Sequence, residues 1–430
     1  MKHPLIFLTF VLSPLLSAQD APPALSVVDG LTIERAVALA IERNERAAIA
    51  DTTVEAAEAR VRRARTAFLP RIDIGGNLRG DYTDQTERTL STSALLTQPI
   101  FDARAFPLYR AQRFERDATR LTATESKRLL GYDAAATFLA TLSFEQVLRA
   151  AEHRRDFAQT NLDDVRARFE AGLVSSNDVT RAELELATAV RGVAQAAGDL
   201  QASRINLANL LRTEVTTLAQ PVALLEAASN PPTVSETTIA GAQQRRSDIA
   251  AQRALVEAQR AFADEPNARF IPSVLFNAQT RNVNDGALFS DRNNEGFVGL
   301  SFAWPVFDAG LRGAERAERT AQLRGEELQL ELELRDVDRE LRGAGVQLTT
   351  EQASLREAGA ALTAARRNTE ETNALYREGL ASALELADAT QRLFEAEVAE
   401  VTARYRMALA YLSLREASGD APMGNGSTGK

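Results

Sequence analysis

Phe169-Glu170-Ala171-Gly172-Leu173-Val174-Ser175 returns along the chain as Tyr376-Arg377-Glu378-Gly379-Leu380-Ala381-Ser382, at an offset of 207 residues. In each stretch the glycine suits the left-handed position that ends a helix. Three residues later Ser175 or Ser382 can cap a new helix, and Asp178 or Glu385, three further on, completes a capping box. The spacing therefore reads helix stop, tight turn, helix start. Two more pairs follow the same order. Phe68-Leu69-Pro70 is echoed by Phe270-Ile271-Pro272 at an offset of 202, and Pro99-Ile100-Phe101-Asp102 by Pro305-Val306-Phe307-Asp308 at an offset of 206. Three ordered matches at nearly one offset mark an internal duplication.

Working outward, each copy reads as four parts. Thr32 to Thr66 is predicted helical, with Leu39, Ala40 and Ala47 on one face, Thr32 as cap and Glu34 in the first turn. Pro70 stops it. The counterpart runs from about Ser235 to Asp264, stopped by Pro266. A strand pair comes next. Ile72, Ile74, Leu78 and Tyr82 alternate with Asp73, Asn77, Arg79 and Asp81, the period of a strand with one apolar face. The return strand, about Leu90 to Ile100, alternates less clearly. In the second copy Val274, Phe276 and Ala278 alternate with polar neighbours, as do Val298, Leu300, Phe302 and Trp304. Strands of roughly ten residues fit a tilted membrane barrel, and the aromatics gathered near 68–107 and 270–307 fit its interfacial girdles. Long helices are predicted over Ala103–Ala171 and Ala309–Glu378, each about 100 Å at ~1.5 Å per residue. Leu162, Val165 and Phe169 show coiled-coil spacing. Return helices of half that length cover about Ser176–Leu211 and Ala383–Ala417. A return helix stacked on a copy's first helix matches the long one in height.

Residues 1–18 read as a signal peptide: Lys2 and His3, an apolar run from Leu5 to Leu16, then Ser17 and Ala18. Residues 19–220 form the first repeat, with strands about 70–101 and a tip about 172–176. Residues 221–418 form the second, with strands about 270–307 and a tip about 379–383. Pro221 and Pro231-Pro232 bracket the linker, and 419–430 reads as a disordered tail. The chain has no cysteine, two histidines and three methionines, so neither a disulfide framework nor a soft-metal site is expected. No cofactor is expected, and no nucleophile–base set or phosphate loop points to an enzyme. A formal charge of −9 disfavours nucleic acid as partner. No later stretch is apolar enough for a membrane helix, so a membrane form must be a closed β-barrel.

Four strands per chain are too few to close a barrel, and three chains give about 12. The expected fold is mainly α with a small β part. Two tandem helix–hairpin–helix repeats per chain build a trimer with a 12-stranded transmembrane β-barrel continued by a long α-helical barrel. Two rivals stand beside a duct: a coiled-coil envelope scaffold that does not conduct, and a soluble periplasmic binding or enzymatic protein. Inward Asp73, Asn77 and Arg79 favour a wet lumen.

These residues carry a family resemblance. The chain resembles the TolC-like outer-membrane efflux proteins over essentially its whole mature length. The resemblance rests on Leu31-Thr32-Ile33-Glu34-Arg35-Ala36, Phe68-Leu69-Pro70, Gln98-Pro99-Ile100-Phe101-Asp102, Trp304-Pro305-Val306-Phe307-Asp308-Ala309-Gly310 and the two Gly-Leu tips. It implies a homotrimeric duct of the outer membrane, embedded in its lipid and crossing the periplasm. The duct would passively conduct substrates from an inner-membrane transporter. A periplasmic adaptor would dock on the tips, at Gly172, Leu173, Gly379 and Leu380. It further implies a periplasmic gate of inward tip residues, onto which Tyr376, Glu385 and Asp388 map in the second copy and Asn177 and Asp178 in the first. Asp178 and Glu385 serve equally well as helix caps. Asp388 is not needed for capping and aligns with Arg181, so it is the expected pore carboxylate. Where some relatives carry a gate-locking arginine, this chain has Ala381.

Overall fold

A computed structural model describes residues 26–80, 88–284 and 293–423. The expected signal peptide and residues 424–430 of the expected tail lie outside them. In the first copy, strand β1 (Ser26–Val28) leads to helices α1 (Ile33–Arg43) and α2 (Glu45–Arg65) and to strands β2 (Arg71–Gly80) and β3 (Arg88–Phe101). The 66-residue helix α3 (Ala105–Glu170) and the return helix α4 (Ser176–Leu211) follow. Strand β4 (Thr213–Val215) and helix α5 (Val222–Ser229) link the copies. The second copy comprises α6 (Glu236–Arg245), α7 (Ser247–Ala268), β5 (Ser273–Asn284), β6 (Asn293–Ala303), the 67-residue α8 (Leu311–Arg377) and α9 (Ala383–Ala417). Helices α1, α2 and α4 pack along α3, and α7 and α9 pack along α8 and also against α3. The stacked half-length columns are therefore present.

The leading helix of the first copy is not continuous. Asn44 has extended backbone at ψ 138° and works at both ends of a break. Its N–H donates to the Ala40 carbonyl at 3.0 Å, its side-chain oxygen accepts the Arg46 N–H at 2.9 Å, and its side-chain amide donates to the Leu210 carbonyl at 2.9 Å. Being tied to α4 fixes the bend where the chain shows neither Gly nor Pro. In the second copy Pro266 does not stop the helix; α7 runs through it to Ala268. The missing proline N–H orphans the Phe262 carbonyl four residues earlier. Arg319 of α8 donates to that carbonyl at 2.8 Å and so repairs the turn. Sequence reading also missed α5 and the parallel pair of β1 with β4. Residues 419–423, expected to open a disordered tail, are docked. The Asp420 carbonyl accepts from both Arg128 and Tyr132 at 3.1 Å. A Cβ on Gly131 would meet Pro422 at 2.9 Å, which accounts for the single glycine inside α3.

The sheet orders β2-β3-β5-β6, antiparallel throughout, so β3–β5 pairing joins the two copies. Directly opposed residues share a face. Ile72, Leu96, Ala278 and Val298 form one row, flanked by the Phe276–Leu300 and Val274–Phe302 pairs. The other face carries Asp73, Leu95, Gln279 and Phe297, then Arg71, Thr97, Asn277 and Gly299, and the Arg281–Glu295 pair. This face is thus apolar and exposed in a single chain over the half nearer the helices, with Val298 72% and Phe302 65% exposed, and it turns polar toward the hairpin ends at Thr92, Asn282 and Asn294. The other is mostly polar or charged. Strands β2 and β6 keep an unpaired edge among the described residues.

The main core sits midway along the helices, where Phe138, Leu139 and Leu142 of α3 meet Leu207 and Leu211 of α4, Leu341 and Leu348 of α8 and Leu412 of α9. Among the described residues no helix is long and apolar enough to cross a membrane.

Candidate functional site

The two tips close the end of the helices opposite the sheet. At the first, Gly172 has φ +71°, and Leu173 N–H reaches back to the Arg168 carbonyl at 2.8 Å. At the second, Gly379 has φ +77°, and Leu380 N–H reaches the Leu375 carbonyl at 2.8 Å. A side chain at either glycine would strain the left-handed turn. The turns hold Leu173 and Leu380 out into solvent at 75% and 76% exposure.

Both capping carboxylates are engaged. Asp178 accepts the Ser175 N–H at 3.0 Å and its hydroxyl at 2.8 Å. Glu385 accepts the Ser382 N–H at 2.6 Å and its hydroxyl at 2.9 Å, while the Ser382 hydroxyl oxygen accepts the Glu385 N–H at 3.3 Å. The Ser382 backbone N–H, then its hydroxyl, hold the Glu385 carboxyl below the usual glutamate range. A carboxyl depressed by folding stabilises above its unfolded pKa, and the contribution is lost as pH falls through the folded value. The amides of 383–386 are therefore expected to be less protected, relative to their intrinsic exchange rates at the same pH, below about pH 4 than at pH 7. Equal protection at both, measured by hydrogen exchange, would refute this.

Tyr376 is buried, packed with Leu162, Val165, Ala182 and Leu386, so it ties the second hairpin to the first. Arg168 lies over its ring at 5.3 Å and donates to the Tyr376 and Arg377 carbonyls at 3.3 Å. Burial pushes the Tyr376 hydroxyl pKa up, and that hydroxyl has no hydrogen-bond partner among the described residues. Asn177 is exposed in the first turn of α4. Asp388 is exposed one turn into α9 and pairs with Arg392 at 2.7 Å. The structure thus joins Tyr376 to the first tip and leaves Asp388 outside that cluster. Sequence reading missed Arg168 and Arg392. Arg392 was visible as the i+4 partner of Asp388; the reach of Arg168 across hairpins had no local signal. Among the described residues no cluster of three or more His, Asp or Glu is placed to hold a metal.

The sequence signature of the "Outer membrane efflux protein" family matches residues 36–212 and 238–420. The chain belongs to this family. Outer membrane protein TolC of Escherichia coli (strain K12) is 22% identical over 386 residues, covering 85% of this chain and 77% of TolC. Two solved structures share the fold. The Campylobacter jejuni CmeC outer membrane channel superposes with a TM-score of 0.75 at 16% identity, covering 92% of this chain and 87% of CmeC. The outer membrane protein VceC of Vibrio cholerae does so with 0.73 at 17% identity, covering 91% and 97%. As a member of the outer membrane efflux proteins the chain is an outer-membrane efflux channel component, with its helical part in the periplasm.

Proposed function

We propose that three copies close into a passive exit duct serving an inner-membrane transporter through a periplasmic adaptor. The observation that carries this is the four-stranded sheet, with one face apolar over the half nearer the helices, the other mostly polar or charged, and two edges open among the described residues. Open edges cannot persist in lipid. The helices repeat the pattern: α2 and α4 each have α3 on one side, α8 has α7 and α9, and Ile49, Ile205, Leu328 and Val346 stay exposed. Such complementary ends fit a head-to-tail ring. Two copies would give about eight strands, whose interior is filled by side chains. Arg71, Asp73, Arg281 and Glu295 on the inner face need water, which favours the wider ring of about 12. The test is native mass in detergent followed by planar-bilayer recording. A conducting trimer is expected; a folded trimer without conductance would make the protein a scaffold.

The exposed Gly172-Leu173 and Gly379-Leu380 turns are the proposed adaptor contacts, and the substrate exit begins between them. Asp178 and Glu385 are occupied as caps, and Tyr376 as a packing tie, so Asp388 is the carboxylate left to act on passing ions, with Asn177 beside it as a neutral tip residue. Three Asp388 carboxylates would favour cations, with Arg392 offsetting part of that charge. Asp388→Ala is expected to lower cation selectivity severalfold and to weaken block by polyvalent cations. An unchanged reversal potential in a salt gradient would remove Asp388 from the pore.

A further inference from the structure

A cavity of about 690 Å³ lies where the sheet meets the helices. Its strand residues are Arg71, Asp73, Leu95, Thr97 and Pro99, all on the polar face of the sheet. It therefore opens on the side that faces the duct lumen, away from the Phe68, Phe101 and Phe106 cluster. Arg60 and Arg63 of α2 line it; both are exposed and have no acidic partner among the described residues. The acids nearby are engaged: Asp73 holds Arg71 at 2.7 Å, and Glu115 takes the Gln112 amide at 2.7 Å. The rest of the wall is mostly apolar, from Ala67, Leu69, Leu95, Leu108 and Phe262, with Thr66, Thr97 and Gln112 as its uncharged polar members.

The duplication shows that this charge belongs to one copy. At the 202-residue offset, Arg60 and Arg63 correspond to Phe262 and Glu265. Phe262 has become part of the cavity wall. Glu265 is only 4% exposed in its side chain and is bound to Arg269 and Arg319. The second copy seals its charges, and the first leaves two guanidiniums open beside apolar surface, in a chain whose net charge is −9. Guanidinium forks pair with carboxylate, sulfonate or phosphate, and a bound anion beside an apolar wall gains from both terms.

We infer that this cavity is a lumenal binding site for amphipathic organic anions, an aromatic or aliphatic body bearing one acidic group. It rests on the duct reading above, since only a duct gives this face a lumen. Three such sites would ring the passage at the junction of the two barrels and retain anionic cargo on its way out.

The test uses the purified full-length trimer and 1-pyrenesulfonate, with 1-pyrenemethylammonium as the charge-reversed control, titrated by calorimetry. Wild type is expected to bind the sulfonate at least tenfold more tightly than the ammonium, and Arg60→Gln/Arg63→Gln to lose at least tenfold in sulfonate affinity. Equal affinity of wild type and variant for the sulfonate, or no preference for it over the ammonium, overturns the site. Bilayer conductance of the same preparations separates the two readings. A conducting wild type without the preference defeats only the site, whereas a folded wild type that never conducts defeats the duct.

Discussion

Val298→Arg is expected to remove the chain from the outer-membrane fraction, while Gly299→Arg, one residue on, leaves it there. Val298 is the sixth residue of the 11-residue β6 and so sits near mid-strand. It closes the row Ile72, Leu96, Ala278 and Val298, and it is 72% exposed, uncovered by any described residue. Lipid is the cover that a barrel supplies. An arginine at the bilayer midplane of a barrel costs about 2–4 kcal/mol. Three copies in one trimer would cost roughly 6–12 kcal/mol, as much as the whole stability of an ordinary domain. Gly299 pairs with Asn277 on the polar face, and a Cβ added there meets no atom within 4 Å. The same charge one position along would extend into water. Fractionation of the two variants beside wild type reads the result. If both variants reach the membrane alike, the apolar face does not meet lipid.

This pair of residues also shows how far the sequence could be read. The alternation in β6 named the two faces directly, because a strand's period of two needs no knowledge of its neighbours. The order β2-β3-β5-β6 did not follow from it, since the β3–β5 pairing is a contact between residues nearly two hundred positions apart. The glycine turns and capping boxes were legible for the same local reason, and the return helices begin and end where the spacing put them. What failed was tertiary. Asn44 breaks a helix that its own neighbours would continue, because α4 offers it the Leu210 carbonyl. Pro266 fails to end a helix because Arg319, 53 positions away, takes over the orphaned carbonyl. Tyr376 reads as a tip residue free to point inward, yet the neighbouring hairpin buries it. The open charges of Arg60 and Arg63 became visible as a site only when the sheet register gave the cavity a side.

Glu265→Ala is expected to cost far more stability than the loss of the same charge at the neighbouring Asp264. The Glu265 carboxylate is taken by Arg269 at 2.7 Å and Arg319 at 3.0 Å, and Arg269 also reaches Glu315 at 2.5 Å. Removing one member of a buried ion pair costs about 3–5 kcal/mol because the remaining charge is stranded. Arg269 and Arg319 keep about a quarter of their exposure, 26% and 24%, which places the expected loss near the lower end, about 3 kcal/mol per protomer. The loss should exceed that of a lone ion pair, because Arg319 also supplies the donor that Pro266 cannot. Once Arg319 is no longer held by Glu265, the Phe262 carbonyl loses its partner and α7 frays just below the sheet. Asp264→Ala, at the exposed neighbouring position, removes the same charge and is expected to stay within about 0.5 kcal/mol of wild type. Thermal unfolding of the purified variants, followed by circular dichroism, compares the two. Equal midpoints would show that the network only decorates the junction. A midpoint lowered for Glu265→Ala alone would mean that the second copy uses its acid to carry a proline through the helix. The first copy has Ala64 where the second has Pro266 and needs no such repair, and Arg63, at the position of Glu265, is left free for the lumen.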